Sequence, residues 1–236
     1  MYIDFHTHIL HNIDDGAKDI AMSLAMVESA YETGAETVVM TPHIEATSDY
    51  EGFLKTREKS FRELSSAVEE RGILHPEFLL GAEVLLDGSL SEREDVRSLC
   101  IGDTELILIE LPYTSWNSWY NNEIYNLMVK HDVVPVMAHI ERYLRSPADI
   151  RKLEKLISFG VKFQINASSF LSFSGRRIIR ELAATGNIHA IGSDAHNMSR
   201  RTPDISKALK SLEKKFGYDF IEHIYNKTLT LLGDTI

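Results

Sequence analysis

At 236 residues, with 44% hydrophobic and 25% charged side chains, the chain can bury a large core, and no stretch has the apolar-poor, charge-rich composition of disorder. A formal charge of −10 excludes a nucleic-acid backbone or an anionic membrane as the main partner, since either would be repelled over most of the surface. Cys100 is the only cysteine, which excludes an internal disulfide and fits a reducing cytoplasm.

The first predicted strand, Tyr2–Ile9, carries His6-Thr7-His8. Side chains alternate across a strand, so both imidazoles face one side about 7 Å apart along the chain and can share one cation. Asp4 has the same parity and is expected to accept the spare ring N–H of one of them. Asp14-Asp15-Gly16 follows, fitting either an Asx turn closing on glycine or one more carboxylate for the same end of the fold. An amphipathic helix, Ala17–Thr33, stops before Gly34 and leads to a strand over Thr37–Thr41 with Pro42-His43 at its end. A long charged helix, Tyr50–Arg71, stops before Gly72. The strand Glu77–Leu86 contains Gly81-Ala82-Glu83, and the strand Leu106–Leu111 contains Glu110.

The run 111–120 holds Tyr113, Trp116, Trp119 and Tyr120, expected either to wall an aromatic pocket or to pack onto the body or another subunit. Strand Val133–His139 continues into Ile140-Glu141-Arg142-Tyr143. Helix Leu153–Phe159, strand Lys162–Asn166 and helix Arg177–Thr185 follow, and Arg176, Arg177 and Arg180 either attract an acidic phosphopeptide or form a solvated face. The last predicted strand, Ile188–Gly192, runs into Ser193-Asp194-Ala195-His196, and two further helices are expected from Ile205 onward.

Short β-branched runs alternating with helical patterns indicate βα units and a parallel sheet. Seven such strands in one domain, 1–236, predict a closed or nearly closed α/β barrel related to the eight-stranded βα barrel, with its site at the C-terminal strand ends. Five strand ends besides the first supply a ligand-type side chain: His43, Glu83, Glu110, His139 and the pair Asp194 and His196. Unpaired buried charges are too costly for an ordinary core, and metal coordination removes that cost. Nitrogen and oxygen donors without sulfur suit Mn²⁺, Fe²⁺ or Zn²⁺, and the number of carboxylates points to more than one ion.

His6-x-His8, Pro42-His43, Gly-Ala-Glu83, the strand ending at His139 and Asp194-x-His196 together resemble the PHP (polymerase and histidinol phosphatase) superfamily from one end of the chain to the other. Within it, Asp15-Gly16, Thr-Pro-His43, Gly-Ala-Glu83, His139-Ile-Glu-Arg142-Tyr143 and Ser-Asp194-Ala-His196 look like the capsule-locus tyrosine phosphatases of the CpsB/CapC type. That resemblance implies a distorted seven-stranded βα barrel (the PHP fold) holding three metals. It implies one ion bound by His6, His8, Glu83 and Asp194, a second by Glu83, Glu110 and His139, and a third by Asp15, His43 and His196. Arg142 and Arg201 would hold the phosphate. Mn²⁺ is the ion expected first, two or three per site, with Fe²⁺ or Zn²⁺ as alternatives. The implied substrate is the phosphotyrosine tail of a bacterial tyrosine autokinase in capsule or exopolysaccharide regulation.

The chemistry agrees with that expectation. Clustered divalent ions lower the pKa of a bridging water and neutralise phosphate oxygens, so a metal-held hydroxide is the expected nucleophile. A cysteine mechanism is excluded, because the position six residues after Cys100, where the phosphate-cradling arginine would stand, is Leu106. With the histidines engaged as ligands no strong general acid is left, which favours a phenolate leaving group of pKa about 10 over an alkoxide. The alternatives are a small-metabolite phosphatase, such as one for histidinol phosphate, and a non-catalytic module that binds phosphopeptides. The first residues carry no basic stretch, and no run reaches the roughly 18 apolar residues of a membrane span, so neither export nor membrane insertion is expected. A homo-oligomer is compatible with this composition.

Overall fold

The computed structural model describes residues 1–45, 49–114 and 116–233; Ser115, within the aromatic run, lies outside them. The strands are β1 (Tyr2–Thr7), β2 (Ala35–Met40), β3 (His43–Glu45), β4 (Glu77–Leu80), β5 (Glu83–Leu85), β6 (Leu106–Glu110), β7 (Val134–Met137), β8 (Lys162–Asn166) and β9 (Ala190–Gly192). Every pairing between them is parallel. They form a three-stranded sheet, β1-β2-β4, and a six-stranded sheet, β3-β5-β6-β7-β8-β9.

Of the expected closed or nearly closed barrel of seven strands, the parallel α/β architecture is present, and the strands among the described residues form two sheets and no closed barrel. The strand expected over 37–41 is β2, which ends at Met40 and is followed after Pro42 by β3, and the strand expected over 77–86 is broken into β4 and β5. Pro42 has no N–H to give a ladder, so pairing lapses there. Single bonds span the break, from Gly81 N to Met40 O at 2.9 Å and from Glu83 N to Pro42 O at 3.0 Å. At the other margin β9 is only three residues long and β1 meets its continuation through an isolated bridge, Thr7 with Ala195. That bridge is flanked by bonds from Asp194 N to His6 O and from His8 N to Ala195 O, both 2.8 Å. The candidate ligands of the first and last strands are brought together there.

The helices are α1 (Ile20–Glu32), α2 (Tyr50–Arg71), α3 (Trp119–His131), α4 (Glu154–Ser158), α5 (Phe173–Ala184), α6 (Ser206–Phe216) and α7 (Tyr218–Leu232). Asp19 and Asp49 cap α1 and α2 by accepting from Met22 N and Gly52 N, which satisfies amide groups with no partner inside the helix. α5 begins four residues earlier than expected because the Ser172 hydroxyl accepts from Gly175 N at 3.0 Å. α3 has no counterpart among the bounded sequence elements: its first turn, Trp119-Tyr120-Asn121-Asn122, consists of weak helix formers, and Ser118 gives it no side-chain cap. The apolar core falls into two clusters, a larger one that includes Ile107, Ile109 and Ile165 and a smaller one that includes Phe5, Leu108 and Val136; all six are fully buried, and each contributes about 1.5–3 kcal/mol relative to an exposed position. Among the described residues no helix is long and apolar enough to cross a membrane.

Candidate metal centre

The cluster gathers at and just beyond the ends of β1, β2, β4, β6, β7 and β9. His6 lies on β1 with His8 just beyond it, His43 and Glu83 open β3 and β5, and Glu110 ends β6. His139 follows β7, Asp194 and His196 follow β9, and Asp15 comes from the turn after β1. Two glycines allow this convergence. A Cβ on Gly16 would stand 2.3 Å from His8 O, and one on Gly192 would stand 2.6 Å from His6 Cβ, so neither turn could approach β1 with a larger residue. His139 (φ 33°) and Asp194 (φ 55°) adopt left-handed backbone, a conformation that costs a non-glycine residue roughly 1–2 kcal/mol and persists where surrounding structure enforces it.

Glu83 is the hub. Fully buried, it has Oε2 at 2.8 Å from His6 Nε2, 3.2 Å from His8 Nε2 and 3.2 Å from His43 Nδ1, and Oε1 at 2.9 Å from His139 Nε2. The donor atoms of His6, His8, Glu83 and Asp194 lie within 4.8 Å of one another, so the first expected set is brought together. The second is joined by His43: His139 Nε2 lies 3.4 Å from Glu110 Oε1, and His43, Glu83 and Glu110 form a compact group of their own. The third gathers His43 and His196 with His8, while Asp15 stands at its edge, 3.2 Å from His196 Nε2 and 3.8 Å from His43 Nε2, with its side chain 69% exposed.

Ring orientations show what this cluster is suited to hold. His6 Nδ1 faces Gln164 Oε1 at 3.2 Å and His8 Nδ1 faces Asp14 Oδ2 at 2.7 Å. Both partners are acceptors, so each neutral ring keeps its proton on Nδ1 and turns the Nε2 lone pair inward. Those two Nε2 atoms are 3.0 Å apart, both beside the same carboxylate oxygen. Once these rings are neutral, their converging lone pairs repel unless a cation lies among them, and the donor set fits a hard or borderline divalent ion. Gln164 is itself fixed, accepting from His139 N at 2.8 Å and donating to Asn166 Oδ1 at 3.0 Å.

Sequence reasoning missed Gln164 and assigned Asp14 no separate role. Polar residues at positions 164 and 166, alternating on an otherwise apolar strand, were the available signal for the first. Asp4 does not reach a ring nitrogen: its Oδ1 accepts from Ser193 N at 2.7 Å, tethering the loop that presents Asp194. Burial pushes its carboxyl up to about 6, partly offset by bonds from Ser193 and His6.

Arg142 and Arg201 both reach Asp194. Arg142 Nη2 lies 2.5 Å from Oδ2, Arg201 Nη2 bonds Oδ1, and Asn166 Nδ2 donates to Oδ2 at 2.7 Å. Two guanidinium groups are thus held on one carboxylate at the mouth of the cluster. Of the four aromatics in the run 111–120 only Tyr113 joins them, its hydroxyl accepting from Arg142 Nη1 at 3.0 Å and its ring stacked 6.4 Å from His139 at 18°. Tyr143 lies 5.8 Å from Tyr113. Tyr120 is buried with Trp116 and Trp119 edge-on against it, so those three pack onto the body. Burial pushes the Cys100 thiol up to about 11, leaving no thiolate at neutral pH.

Electrostatics follow from burial set against pairing. Burial alone would raise Asp194, but His6, Arg142 and His8 outweigh it and hold the carboxyl well below the usual range. Burial would likewise lower His8, yet Asp14 and Glu83 raise it to about 10, and Glu110 with Glu83 raise His139 to about 9 despite burial. Without metal both rings are therefore protonated at pH 7.5, and a cation must displace those protons. Metal loading is expected to release about two protons, measured by calorimetry in buffers of different ionisation enthalpy, and apparent affinity should rise with pH until about 9–10. Loading without proton release would contradict this charge assignment.

With this geometry in place, the family becomes decidable from the whole chain: residues 2–231 match the family described as capsular polysaccharide synthesis, CpsB/CapC. The chain belongs to the CpsB/CapC family. This CpsB/CapC chain is 33% identical to the tyrosine-protein phosphatase YwqE of Bacillus subtilis (strain 168) over 224 residues, 91% of this chain and 85% of that protein. It is 28% identical to the tyrosine-protein phosphatase CpsB of Streptococcus agalactiae serotype V over 94% of each chain. A crystal structure from work on YwqE from Bacillus subtilis and CpsB from Streptococcus pneumoniae, described as unique metal-dependent tyrosine phosphatases, superposes with a TM-score of 0.82 at 30% identity, covering 99% of this chain and 95% of that one. A putative histidinol phosphatase from Listeria monocytogenes shares the fold, with a TM-score of 0.53 at 13% identity.

Proposed function

We propose that this CpsB/CapC chain is a phosphoric monoester hydrolase, a metal-dependent phosphatase of protein phosphotyrosine. The observation that carries the reading is Glu83 contacted by four imidazoles, with two arginines held together on Asp194 at the mouth. His6, His8, Asp15, His43, Glu83, Glu110, His139, Asp194 and His196 would hold two or three ions, Mn²⁺ first and Fe²⁺ or Zn²⁺ as alternatives. Bound there, such ions supply Lewis acidity toward phosphoryl oxygens and bring the pKa of a water toward neutrality.

The chain's own residues do the rest. Arg142 and Arg201 bind the equatorial phosphate oxygens, for which a planar fork of N–H donors is better matched than a point charge. Tyr113, stacked along His139 and tied to Arg142, offers an apolar face to the phenyl ring of the substrate and keeps the guanidinium in place. Burial, with His8 and Arg201, lowers His196 to about 4 before any ion is bound, and engaged as a ligand it would likewise give the leaving oxygen no proton. A phenolate departs without one far more readily than an alkoxide, which narrows the substrate to aryl phosphates.

The natural substrate in this reading is the phosphotyrosine tail of a bacterial tyrosine kinase that controls capsule or exopolysaccharide synthesis, met in the cytoplasm. The two parallel sheets would be the two parts of a distorted seven-stranded barrel opened at Pro42 and at β9. Rates on a phosphotyrosine peptide, a phosphoserine peptide and histidinol phosphate, each with chelator and after Mn²⁺ is restored, test the proposal. Phosphotyrosine should be fastest, and Mn²⁺ should recover the loss. A preference for histidinol phosphate, or turnover indifferent to chelator, overturns it.

A further inference from the structure

Outside the metal cluster, one groove departs from the acidic character of the chain. Arg176, Arg177 and Arg180 of α5 and Lys214 and Lys215 of α6 line a groove of about 410 Å³, and no acidic side chain lines it among the described residues. Phe170, buried, and Phe173, 73% exposed, complete its wall. In a protein of net charge −10, five cations around an exposed ring form a local anion-attracting surface that also offers an aromatic face.

The groove and the candidate site share no lining residue, but the segment 167–171 and α6 contribute to the walls of both. The cavity at the site, of about 320 Å³, is lined by Arg142, Asp194 and Arg201 and also by Leu171, Asp204 and Lys207. Leu171 adjoins Phe170 in sequence. Lys207, Ser211 and Lys214 recur at i, i+4 and i+7 and so share one face of α6, with Lys207 at the site end and the other two in the basic groove. From Lys207 to Lys214 the helix rises about 10 Å, a distance that three to four residues of extended polypeptide cover.

We infer that this groove receives acidic or phosphorylated side chains of the same polypeptide segment whose phosphotyrosine lies at the metal centre, at least three to four residues away from it. The inference rests on the phosphotyrosine reading. It assigns Arg176, Arg177, Arg180, Lys214 and Lys215 to substrate affinity and gives them no part in bond cleavage. The enzyme then favours phosphotyrosines in anionic, extended segments, and one phosphorylated residue assists dephosphorylation of another.

The test compares wild-type protein with two charge reversals, Arg176→Glu/Arg177→Glu/Arg180→Glu and Lys214→Glu/Lys215→Glu. Substrates are phosphotyrosine peptides with acidic, doubly phosphorylated or neutral flanks, and a small aryl phosphate that cannot reach the groove. Each reversal should raise KM for the acidic and doubly phosphorylated peptides roughly five- to tenfold, through the loss of several modest ion pairs, with the difference shrinking in high salt. The kcat values, the neutral peptide and aryl phosphate turnover should stay at wild-type levels, which also reports intact folding. Equal KM changes for neutral and anionic peptides, or none, overturn the groove assignment alone. If the wild type cleaves the aryl phosphate but no phosphotyrosine peptide, the functional reading fails and this inference fails with it.

Discussion

Glu83→Gln is expected to lower phosphotyrosine hydrolysis by about 10³-fold or more, the upper end of what losing one preorganised electrostatic contact costs, and to lower the bound metal measured by atomic absorption. Burial by itself would raise this carboxyl, but His6 and the other imidazoles around it outweigh that and hold it well below the usual range, so it stays charged. Ring nitrogens of His6, His8, His43 and His139 all lie within 3.2 Å of it. Glutamine keeps the volume, and its amide can donate to an inward-facing imidazole lone pair, so the strand ends should stay packed and far-UV circular dichroism should not change. What it removes is the negative charge that would offset the charge of ions held among these side chains. Wild-type activity with wild-type metal content in this variant would refute the role given to Glu83.

Much of the site was legible because its determinants are local. His6 and His8 could be placed on one face from the two-residue period of a strand, and their Nε2 atoms are indeed 3.0 Å apart. His43, Glu83, Glu110, His139 and Asp194 were legible as charged or ring side chains at the ends of apolar runs. The outer contacts were less so, since which acceptor meets a ring nitrogen depends on tertiary geometry. Asp4 had the right parity, yet a backbone amide from Ser193 took its carboxylate, while Asp14 and Gln164 supplied the ring acceptors. The same limit governs the fold. Strand positions followed from β-branched runs, whereas the division into two sheets follows from a missing donor at Pro42 and from a three-residue β9, features that apolar periodicity does not record.

Arg142→Ala is the complementary case, because it should spare the metals and remove the phosphate contact. Asp194 would keep its bonds from Arg201 and from Asn166 Nδ2, at 2.7 Å, so the carboxylate stays in place and bound metal should match wild type. The loss expected is about 10²-fold in kcat/KM for phosphotyrosine peptides, the size of one or two charge-assisted hydrogen bonds, with weaker inhibition by inorganic phosphate. Arg142→Lys should recover only part of it: an ammonium restores the charge but cannot engage two oxygens in a plane while also holding the Tyr113 hydroxyl, as the guanidinium does at 3.0 Å. A variant whose kcat/KM falls only in proportion to lost metal would show that Arg142 serves Asp194 alone. Loss of phosphate inhibition at constant metal content would instead place its second set of donors on the substrate.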